Sequence, residues 1–228
     1  MTISIDLPPS NDSPQRVRTE LITPLDQEEF DKWLQLRQKY MEVQGWHYGD
    51  DHDRYDDDPR TLHVVKERED TKDIMVGMRL TPCDSVEESL SLSMLSPKLQ
   101  EQVRENLPGD MNNIWDLTRL IPGNLAKEEA VDVILETFGT GLAASLSRSP
   151  EGLPPQWIFA TTPAFAAFFR RQGIDFIELA RGKNKPGDTK DTVFCYARPA
   201  EDTARIRREE HPSHIAVDRG VEAAEQVL

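Results

Sequence analysis

Three polar side chains able to move a proton or bind an anion stand within four residues, in Trp115-Asp116-Leu117-Thr118-Arg119-Leu120. Apolar residues interleave with them, which predicts a strand with one buried face. In such a strand Asp116 and Thr118 share a face, and Arg119 points to the other side unless a bulge turns it. The carboxylate can act as a general base and the guanidinium can hold an anion. By itself the segment is more typical of a solvated face with one salt bridge.

A second polar constellation lies upstream. Residues 46–59 hold many carboxylates, Asp53 and Asp56 among them, together with two histidines, and this charge density predicts a loop. The loop lacks the spacing and the glycine of a calcium loop, which favours a solvated acidic loop over a metal site. Arg79 is embedded in a predicted strand, where an unpaired cation is costly, so it needs an anionic partner. Either the acidic loop or Asp116 can supply one.

The elements that must position these groups follow from the apolar spacing along the chain. The pattern predicts helices over 26–44, 97–106, 127–147 and 163–172, and strands over 62–66, 74–80, 114–120, 157–162, 174–179 and 192–197. This order is typical of an α/β fold, a three-layer α/β/α sandwich in which helices cover a mixed sheet. We expect a flexible N-terminal arm (1–18), a single domain (19–198) and a charged C-terminal tail (199–228).

Composition excludes several classes of partner. Among 228 residues, 41 acidic side chains outnumber 27 basic ones, for a net charge of −14, which argues against binding nucleic acid or an anionic membrane. Cys83 and Cys195 form no Cys-x-x-Cys pair, so buried free thiols are expected rather than a metal knuckle or a disulfide. The N-terminus resembles no secretion signal, and no apolar run approaches membrane-spanning length, so the expected location is cytoplasmic.

Taken together, four segments resemble motifs of the acyl-homoserine-lactone synthases, the bacterial autoinducer synthases of quorum sensing. The segments are Leu36-Arg37 with Tyr40 and Gly45-Trp46, Asp53-Arg54-Tyr55-Asp56, Gly77-Met78-Arg79-Leu80-Thr81-Pro82, and Trp115-Asp116-Leu117-Thr118-Arg119-Leu120. They resemble the family's Arg and Gly-Trp on and after the first helix, its Asp-x-x-Asp, its Arg-Leu-x-Pro strand and its Glu-x-Ser-Arg-Phe strand. Because the last segment carries Asp, Thr and Leu in place of Glu, Ser and Phe, the resemblance is to a divergent member.

The resemblance implies a GNAT-like fold and a two-substrate acyl transfer. An acyl chain would pass from acyl carrier protein, or from coenzyme A, to the amine of S-adenosylmethionine. Lactonisation would then release 5′-methylthioadenosine and the quorum-sensing signal. S-adenosylmethionine would be a substrate, and neither a cofactor nor a metal is implied. Two alternatives stay open: a related N-acyltransferase that makes an N-acyl amino acid without lactonisation, and a catalytically silent binding protein of the same fold.

The resemblance also implies roles for individual residues. Asp116 would be the base or amine anchor, Thr118 a hydrogen-bond donor and Arg119 a charge partner. The cationic groups of S-adenosylmethionine suit carboxylates, and its own carboxylate suits a guanidinium. The residues expected to bind this substrate or to hold the acidic loop over it are Arg37, Trp46, Asp53, Asp56 and Arg79. Trp46 is compatible with an aromatic wall near the cation and with plain core packing.

The acyl donor makes two further demands on the chain. The turn after the Asp116 strand carries one glycine, which poorly suits recognition of the coenzyme A pyrophosphate by successive backbone amides. A carrier protein is acidic and would need a basic surface, for which the candidates are Arg170, Arg171, Arg181, Lys183 and Lys185. The acyl chain needs an apolar pocket, for which the candidates are Leu142, Phe159, Thr161 and Phe165.

Overall fold

The structure is a computed structural model that describes residues 4–6, 17–22, 27–43, 52–123, 125, 129–185 and 187–225. The strands are β1 (Ser4–Asp6), β2 (Val17–Ile22), β3 (Leu62–Arg68), β4 (Ile74–Cys83), β5 (Ile114–Pro122), β6 (Gln156–Thr161), β7 (Ile177–Gly182) and β8 (Thr192–Ala197). The α-helices are α1 (Gln27–Val43), α2 (Leu90–Ser93), α3 (Pro97–Asn106), α4 (Ala130–Ser147), α5 (Pro163–Arg171), α6 (Pro199–Arg208) and α7 (Ser213–Glu225), and a 3₁₀ turn covers Val86–Glu88.

The chain divides into two compact units. The first comprises Met1–Thr81, Arg119–Ala144 and Ala216–Leu228, and the second comprises Pro82–Thr118 and Ser145–Ile215. Both β5 and α4 begin in one unit and end in the other. The catalytic candidates therefore fall into both units, with Asp116 and Thr118 in the second and Arg119 in the first.

In the first unit, strands β1 to β4 pair in sequence order and antiparallel. In this ladder Val64 lies opposite Met78, and Val65 lies opposite Gly77. Helix α1 covers the Val65 face, where its Phe30 and Trp33 join one apolar cluster. Helix α4 covers the Met78 face so closely that a Cβ on Gly141 would meet the Met78 methyl at 2.0 Å. Helices therefore lie on both faces of this ladder, as the predicted sandwich requires.

The sequence of α1 explains both its formation and what it presents to the sheet. Glu28 and Glu29 stand in its first turn, where negative charge interacts favourably with the helix dipole. Phe30, Trp33 and Arg37 follow at helical spacing on one side, and all are buried. The apolar stripe that docks the helix therefore ends in a guanidinium held between helix and sheet.

In the second unit, β5 pairs parallel with β6, whereas β6 with β8 and β8 with β7 are antiparallel. One face of these strands, with Ile158 and Phe194, packs against Leu99 and Val103 of α3. Helix α5 begins with Pro163 in its first turn, and the Thr162 hydroxyl accepts a hydrogen bond from the Phe165 amide. The mixture of parallel and antiparallel strands in this unit agrees with the predicted mixed sheet.

Most predicted elements are confirmed, including α1, the β3–β4 hairpin, α3, β5, α4, β6, α5 and β8. The last-but-one strand was predicted over 174–179 and is found at Ile177–Gly182. Strand β2 was not predicted, and β1 lies inside the segment predicted as a flexible arm. Six residues of charged, mixed composition give a weak local signal, and the pairing of β2 with β3 stabilises the strand instead.

The segment after residue 198 is helical and contributes to both units. Ile206 of α6 and Val217 of α7 have no exposed surface, or almost none, so neither helix is a solvated appendage. A Cβ on Gly139 of α4 would meet the Val217 carbonyl oxygen at 2.1 Å, so the α4 and α7 backbones touch. The predicted domain boundaries at 19 and 198 stay a prediction, and residues 199–225 of the charged tail form α6 and α7.

Helix α4 is long and apolar enough, by length and composition alone, to be a candidate membrane span. Its most apolar stretch is 72% buried inside the structure. It is also in close backbone contact with α7 through Gly139. These contacts are those of the core helix of a folded domain.

Candidate functional site

Five charged residues of the first unit converge on the side of its sheet that α1 covers. We call them the α1-face cluster: Arg37 from α1, Asp53 and Asp56 from the loop before β3, Arg79 from β4, and Arg119 from β5. Arg37, Asp56 and Arg79 have no exposed surface. Buried charges persist only when each is paired and hydrogen-bonded, so the cluster must satisfy its own members.

Asp56 is the centre of this cluster. Its Oδ1 accepts hydrogen bonds from Arg37 Nη1 and Arg79 Nη1, both at 2.7 Å. Its Oδ2 accepts from Arg37 Nη2 at 3.1 Å and from the Asp53 backbone N–H at 3.0 Å. These four donors occupy the lone pairs of the carboxylate. Asp56 therefore joins helix, loop and strand, and has little capacity left to bind a substrate.

Asp53 and Arg119 form the edge of the cluster that reaches solvent. Asp53 accepts hydrogen bonds from Arg79 Nη1 at 2.8 Å and Arg79 Nη2 at 3.2 Å, and its side chain is 23% exposed. Arg119 Nη2 reaches Asp53 Oδ2 at 3.4 Å, and its side chain is 11% exposed. Among the five residues, these two are the ones that a ligand can touch without dismantling the cluster.

The loop that carries both aspartates is held by its own turn. The Asp56 amide donates to the Asp53 carbonyl at 2.9 Å, and the Tyr55 amide donates to Asp53 Oδ1 at 2.9 Å. The Thr61 hydroxyl donates to the Tyr55 carbonyl, which ties the end of the loop back to its centre. The Arg79 guanidinium also lies 5.7 Å from the centre of the Tyr55 ring. This sequence therefore folds locally into a turn that presents two carboxylates to one arginine.

The electrostatics of the cluster favour ionised aspartates and a neutral histidine. Burial alone would raise the pKa of Asp56, but hydrogen bonds and charges from Arg37 and Arg79 outweigh it and hold that pKa well below its ordinary range. Burial lowers the pKa of the neighbouring His63 to about 3, and the two arginines oppose its protonation. Within the five named residues, three arginines stand against two aspartates.

The backbone of β5 decides how Arg119 takes part. Arg119 has a φ of +55°, in the left-handed region that a non-glycine residue rarely adopts. Such a residue breaks the alternation of side chains along a strand. The sequence predicted that Arg119 lies on the other face of the strand from Asp116 and Thr118 unless a bulge turns it. The left-handed backbone at Arg119 is such an irregularity, and Arg119 contacts Asp53.

Asp116 and Thr118 lie in the second unit. Asp116 is 1% exposed, and its Oδ2 accepts a hydrogen bond from the Ser91 backbone N–H at 3.0 Å, at the start of α2. Thr118 is half-buried on the same strand. The carboxylate is thus oriented by a backbone amide, which suits a base or an anchor and equally suits a structural contact with α2.

The structure therefore brings four of the five expected substrate-binding residues together, namely Arg37, Asp53, Asp56 and Arg79. Trp46 lies outside the described residues. Arg37, Asp56 and Arg79 contact one another rather than open space, so their geometry is that of a rigid support. The expected ion pairs that hold the acidic loop are present, and the partners of Arg79 come from that loop.

The candidate pocket residues are distributed over both units. In the second unit, Phe159 is buried and packs edge-to-face on Phe176 at 5.5 Å, whereas Thr161 is half-buried at the end of β6. Phe165 is half-buried on α5 and contacts two neighbouring phenylalanines. Leu142, on α4, is buried in the first unit. Their role in an acyl pocket stays a prediction.

The predicted basic surface is real but interrupted by acidic side chains. Arg170 and Arg181 both pair with Glu178, and Lys183 pairs with Asp191. The remaining two candidates, Arg171 and Lys185, are exposed. The patch therefore has a smaller charge than its arginines and lysines alone suggest, and its role in docking stays a prediction.

Two buried residues behind the cluster were not identified from the sequence, His63 and Trp33. His63 lies opposite Arg79 in the β3–β4 ladder, on the face that α1 covers. The Trp33 indole donates to His63 Nδ1 at 3.0 Å. The available signal was a histidine within an apolar strand, directly across from a buried arginine. No group of three or more potential metal-ligating side chains occurs among the described residues.

No protein-family model matches the chain, and no curated protein matches it. Solved structures do resemble it. TofI, solved in a ternary complex with an inhibitor and MTA, superposes with a TM-score of 0.58 at 16% identity, over 90% of this chain and 98% of that one. MesI, a CoA-dependent acyl-homoserine lactone synthase, superposes with a TM-score of 0.55 at 16% identity, over 90% of this chain and 94% of that one.

FeeM, an N-acyl amino acid synthase from uncultured soil microbes, gives a TM-score of 0.58 at 13% identity, over 83% of this chain and 94% of that one. An acyl-CoA N-acyltransferase from Pseudomonas aeruginosa gives 0.53 at 15% identity, over 79% and 99%. Likeness at such low identity is a statement about backbone arrangement. The predicted α/β fold is confirmed, and this chain has the GNAT-like fold seen in solved acyl-homoserine lactone synthases and N-acyltransferases.

Proposed function

We propose that this protein is an acyltransferase that makes an acyl-homoserine lactone from S-adenosylmethionine and an acyl thioester. The observation that carries the proposal is the α1-face cluster, in which residues from the separate synthase-like motifs form one connected ion network on this fold. A solvated acidic loop would not need three arginines from three different elements. The solved synthases supply the second support, because their fold is the one that this chain adopts.

The chemistry assigned to the residues follows from what each group can do. The α-amine of S-adenosylmethionine loses a proton and attacks the thioester carbonyl, so an amide forms and the thiol leaves. Asp116 is the proposed base or amine anchor, with Thr118 as a hydrogen-bond donor. The substrate carboxylate then attacks its own γ-carbon and displaces 5′-methylthioadenosine, which closes the lactone. Every step needs only acid–base and electrostatic assistance, without a cofactor.

The α1-face cluster would serve S-adenosylmethionine through its exposed edge. Arg119 can hold a carboxylate, and Asp53 can face an ammonium or sulfonium group. Arg37, Asp56 and Arg79 would fix that edge in place, since rigid support is what precise substrate orientation requires. This assignment refines the sequence-based one, in which all these residues were expected to serve the substrate.

The donor side of the proposal is an acyl carrier protein, with coenzyme A as the other possibility. The basic surface of α5, β7 and the following loop would meet the acidic carrier. Phe159, Thr161 and Phe165, all in the second unit, are the proposed lining of the acyl pocket. The proposal includes a cytoplasmic location, because S-adenosylmethionine and acyl thioesters are made there.

The test is a reconstituted reaction with purified protein, S-adenosylmethionine and acyl carrier proteins bearing chains of several lengths. We expect 5′-methylthioadenosine and lactone in equal amounts, measured by liquid chromatography and mass spectrometry. A parallel series with acyl-coenzyme A identifies the donor. The Asp57→Asn variant is the matched control, because Asp57 lies in the same loop but is 67% exposed outside the cluster. Absence of 5′-methylthioadenosine with every donor would refute the synthase proposal.

The likeness to FeeM favours a second candidate, an N-acyl amino acid synthase, since its TM-score equals that of TofI. Such an enzyme would transfer the acyl chain to an amino acid amine without closing a lactone. Supplying the twenty amino acids in place of S-adenosylmethionine distinguishes the two. Formation of an N-acyl amino acid without 5′-methylthioadenosine would establish this candidate. If no acceptor gives an acylated product, the remaining alternative is a catalytically silent binding protein of the same fold.

A further inference from the structure

His63 occupies a fully buried position directly behind the α1-face cluster. It has no exposed surface, and in the β3–β4 ladder it lies opposite Arg79. Its imidazole contacts two rings: Phe30 packs edge-on at 5.1 Å between ring centroids, and the Trp33 indole lies at hydrogen-bond distance. A buried polar ring fixed this firmly has a specific orientation, which raises the question of what that orientation does.

The Trp33 contact determines the tautomer of His63. An indole nitrogen is only a donor, so His63 Nδ1, at 3.0 Å from Trp33 Nε1, must be the unprotonated acceptor. In a neutral imidazole the proton then resides on Nε2. Burial and the two nearby arginines disfavour the doubly protonated ring. His63 is therefore a neutral side chain whose one N–H is fixed at Nε2.

That N–H belongs to the ring nitrogen that lies near the carboxylate at the centre of the cluster. His63 Nε2 lies 3.8 Å from Asp56 Oδ1, which is beyond hydrogen-bond length, so the N–H dipole acts on the carboxylate by electrostatic attraction alone. Among the described residues no acceptor lies within hydrogen-bond distance of Nε2. A neutral donor at this place attracts Asp56 without adding a further positive charge beside the three arginines of the cluster.

The backbone opposite is shaped to keep this arrangement. Gly77 faces the Trp33 ring, and a Cβ there would stand 2.5 Å from a ring carbon. Any side chain at position 77 would force the indole to move, and with it the donor that fixes the histidine. Residues 33 and 77, which are distant in sequence from His63, thus both act on the orientation of the His63 ring.

We infer that His63 is a positioning residue that seats Asp56 through its Nε2–H, with its tautomer fixed by Trp33 and with Gly77 leaving room for the indole. The inference deepens the proposed function and rests on it only for the kinetic consequence. The tautomer and the order of the loop are properties of the folded protein, so they can be measured whether or not a lactone is formed.

The first experiment reads the imidazole nitrogens by ¹⁵N NMR in full-length protein between pH 5 and pH 9. We expect one neutral, Nε2-protonated histidine that does not titrate in this range, and the assignment is checked by its loss in His63→Gln. In Trp33→Phe we expect the tautomer preference to weaken, because the donor to Nδ1 is gone. A neutral Nδ1-protonated His63, or a His63 that titrates above pH 5, would overturn the inference.

The second experiment measures hydrogen exchange of the loop amides, which bond within the Asp53–Asp56 turn. In His63→Phe, which keeps a ring but removes the N–H, we expect these amides to exchange about tenfold faster than in wild type. His63→Gln retains a donor near Nε2 and should stay within about threefold of wild type. The Ser91 amide, bonded to Asp116 in the other unit, is the internal reference and should not change.

Equal loop exchange in His63→Phe and His63→Gln would overturn the inference, because packing alone would then explain the histidine. If His63→Phe fails to fold, Trp33→Phe is the second variant. It removes the donor that fixes the His63 tautomer, and its loop exchange is compared with that of wild type. In the active enzyme, kcat should fall about tenfold or more in His63→Phe and recover in His63→Gln. If the NMR experiment finds the neutral, Nε2-protonated His63 but the enzyme forms no lactone, the proposed function is refuted and the inference about His63 still holds.

Discussion

The two faces of the β3–β4 ladder both bury charged residues, but with different geometry. On the side of α4, Lys66 Nζ meets Thr19 Oγ1 at 2.8 Å and Glu136 Oε2 at 3.4 Å, and Arg219 of α7 joins Glu136 at 2.9 Å and Asp132 at 3.2 Å. We call these five residues the α4-face cluster. It contains two cations and two anions, whereas the α1-face cluster contains three arginines and two aspartates.

The difference supports the proposal that the α1-face cluster serves the substrate and that the α4-face cluster is structural. Contacts in the α4-face cluster are single and partly long, and they join β2, β3, α4 and α7 across the core. In the α1-face cluster the contacts are bidentate and converge on one loop, whose outer members Asp53 and Arg119 reach solvent. Contacts spread over four elements fix the core, whereas the Asp53–Arg119 pair at the edge of one loop can meet a charged ligand.

The largest effect should follow from removing the arginine that joins both aspartates. Arg79→Ala leaves Asp56 buried with one guanidinium fewer, so we expect unfolding free energy to fall by about 3 to 5 kcal/mol and product formation to fall about 100- to 1,000-fold. Denaturant titration and the lactone assay measure the two effects. Arg79→Lys keeps the charge but loses the bidentate contact, and should retain more stability than activity.

Lys66→Met is the matched control on the other face. The thioether replaces a fully buried cation of similar length, and Glu136 keeps its contact with Arg219. We expect a change in stability of about 1 to 3 kcal/mol, with kcat unaltered in the folded protein. Loss of kcat in folded Lys66→Met would abolish the distinction between the two clusters.

The next effect is on the pH dependence of stability. The pKa of His63 is about 3 when folded and near its ordinary 6.5 when unfolded, so the unfolded chain binds the extra proton between these values. Stability from this residue is complete above pH 6.5 and falls as the pH drops, by about 3 kcal/mol between pH 6.5 and pH 4. Thermal unfolding across this range in wild type and His63→Gln measures the slope, which should be shallower in the variant.

Asp202 in the second unit should change stability with pH in the opposite direction to His63. Its pKa is raised, chiefly by burial, from 3.8 to about 6, so the folded form binds more protons. Its contribution is complete below pH 3.8 and is lost as the pH rises through 6. Asp202→Asn should therefore make stability fall more steeply as the pH drops, whereas His63→Gln should make it fall less steeply. Parallel slopes in both variants would show that neither residue controls the acid response.

A smaller change in stability with a large change in activity is expected at the edge of the α1-face cluster. Asp53→Asn keeps the shape and some hydrogen bonds, so stability should fall by about 1 kcal/mol, whereas kcat/KM for S-adenosylmethionine should fall about 100-fold. The steady-state assay measures it. Asp132→Asn, on the exposed edge of the α4-face cluster, should leave kcat/KM unchanged. Equal losses in the two variants would contradict the assignment.

The smallest effect concerns a single hydroxyl. Thr19→Val removes the acceptor of Lys66 Nζ while conserving volume, and should lower stability by about 1 kcal/mol without changing either kinetic constant. Chemical denaturation with a parallel assay measures both. A change in KM for S-adenosylmethionine would connect the α4-face cluster to the substrate and would blur the comparison.

Much of the fold was predictable because its signals are local. Helix α1 has apolar residues at three- and four-residue steps, and β3 and β4 are apolar runs around a polar turn, so periodicity alone located them. Strand β2 and the helices after residue 198 were different, since their sequences are charged. Strand β2 is stabilised by pairing with β3, and α7 packs on α4; no local sequence window contains these contacts.

The sequence by itself determined which groups are available: two aspartates in a turn, an arginine in a buried strand, and an Asp-Leu-Thr-Arg segment in another. It also required a partner for Arg79, because a lone buried cation is too costly. Only the tertiary structure decided that Asp56 is shared by two arginines, that a left-handed residue at 119 accompanies its contact with Asp53, and that His63 stands behind them. The reason is geometric: side-chain direction is local, but which side chains meet depends on how distant strands and helices pack.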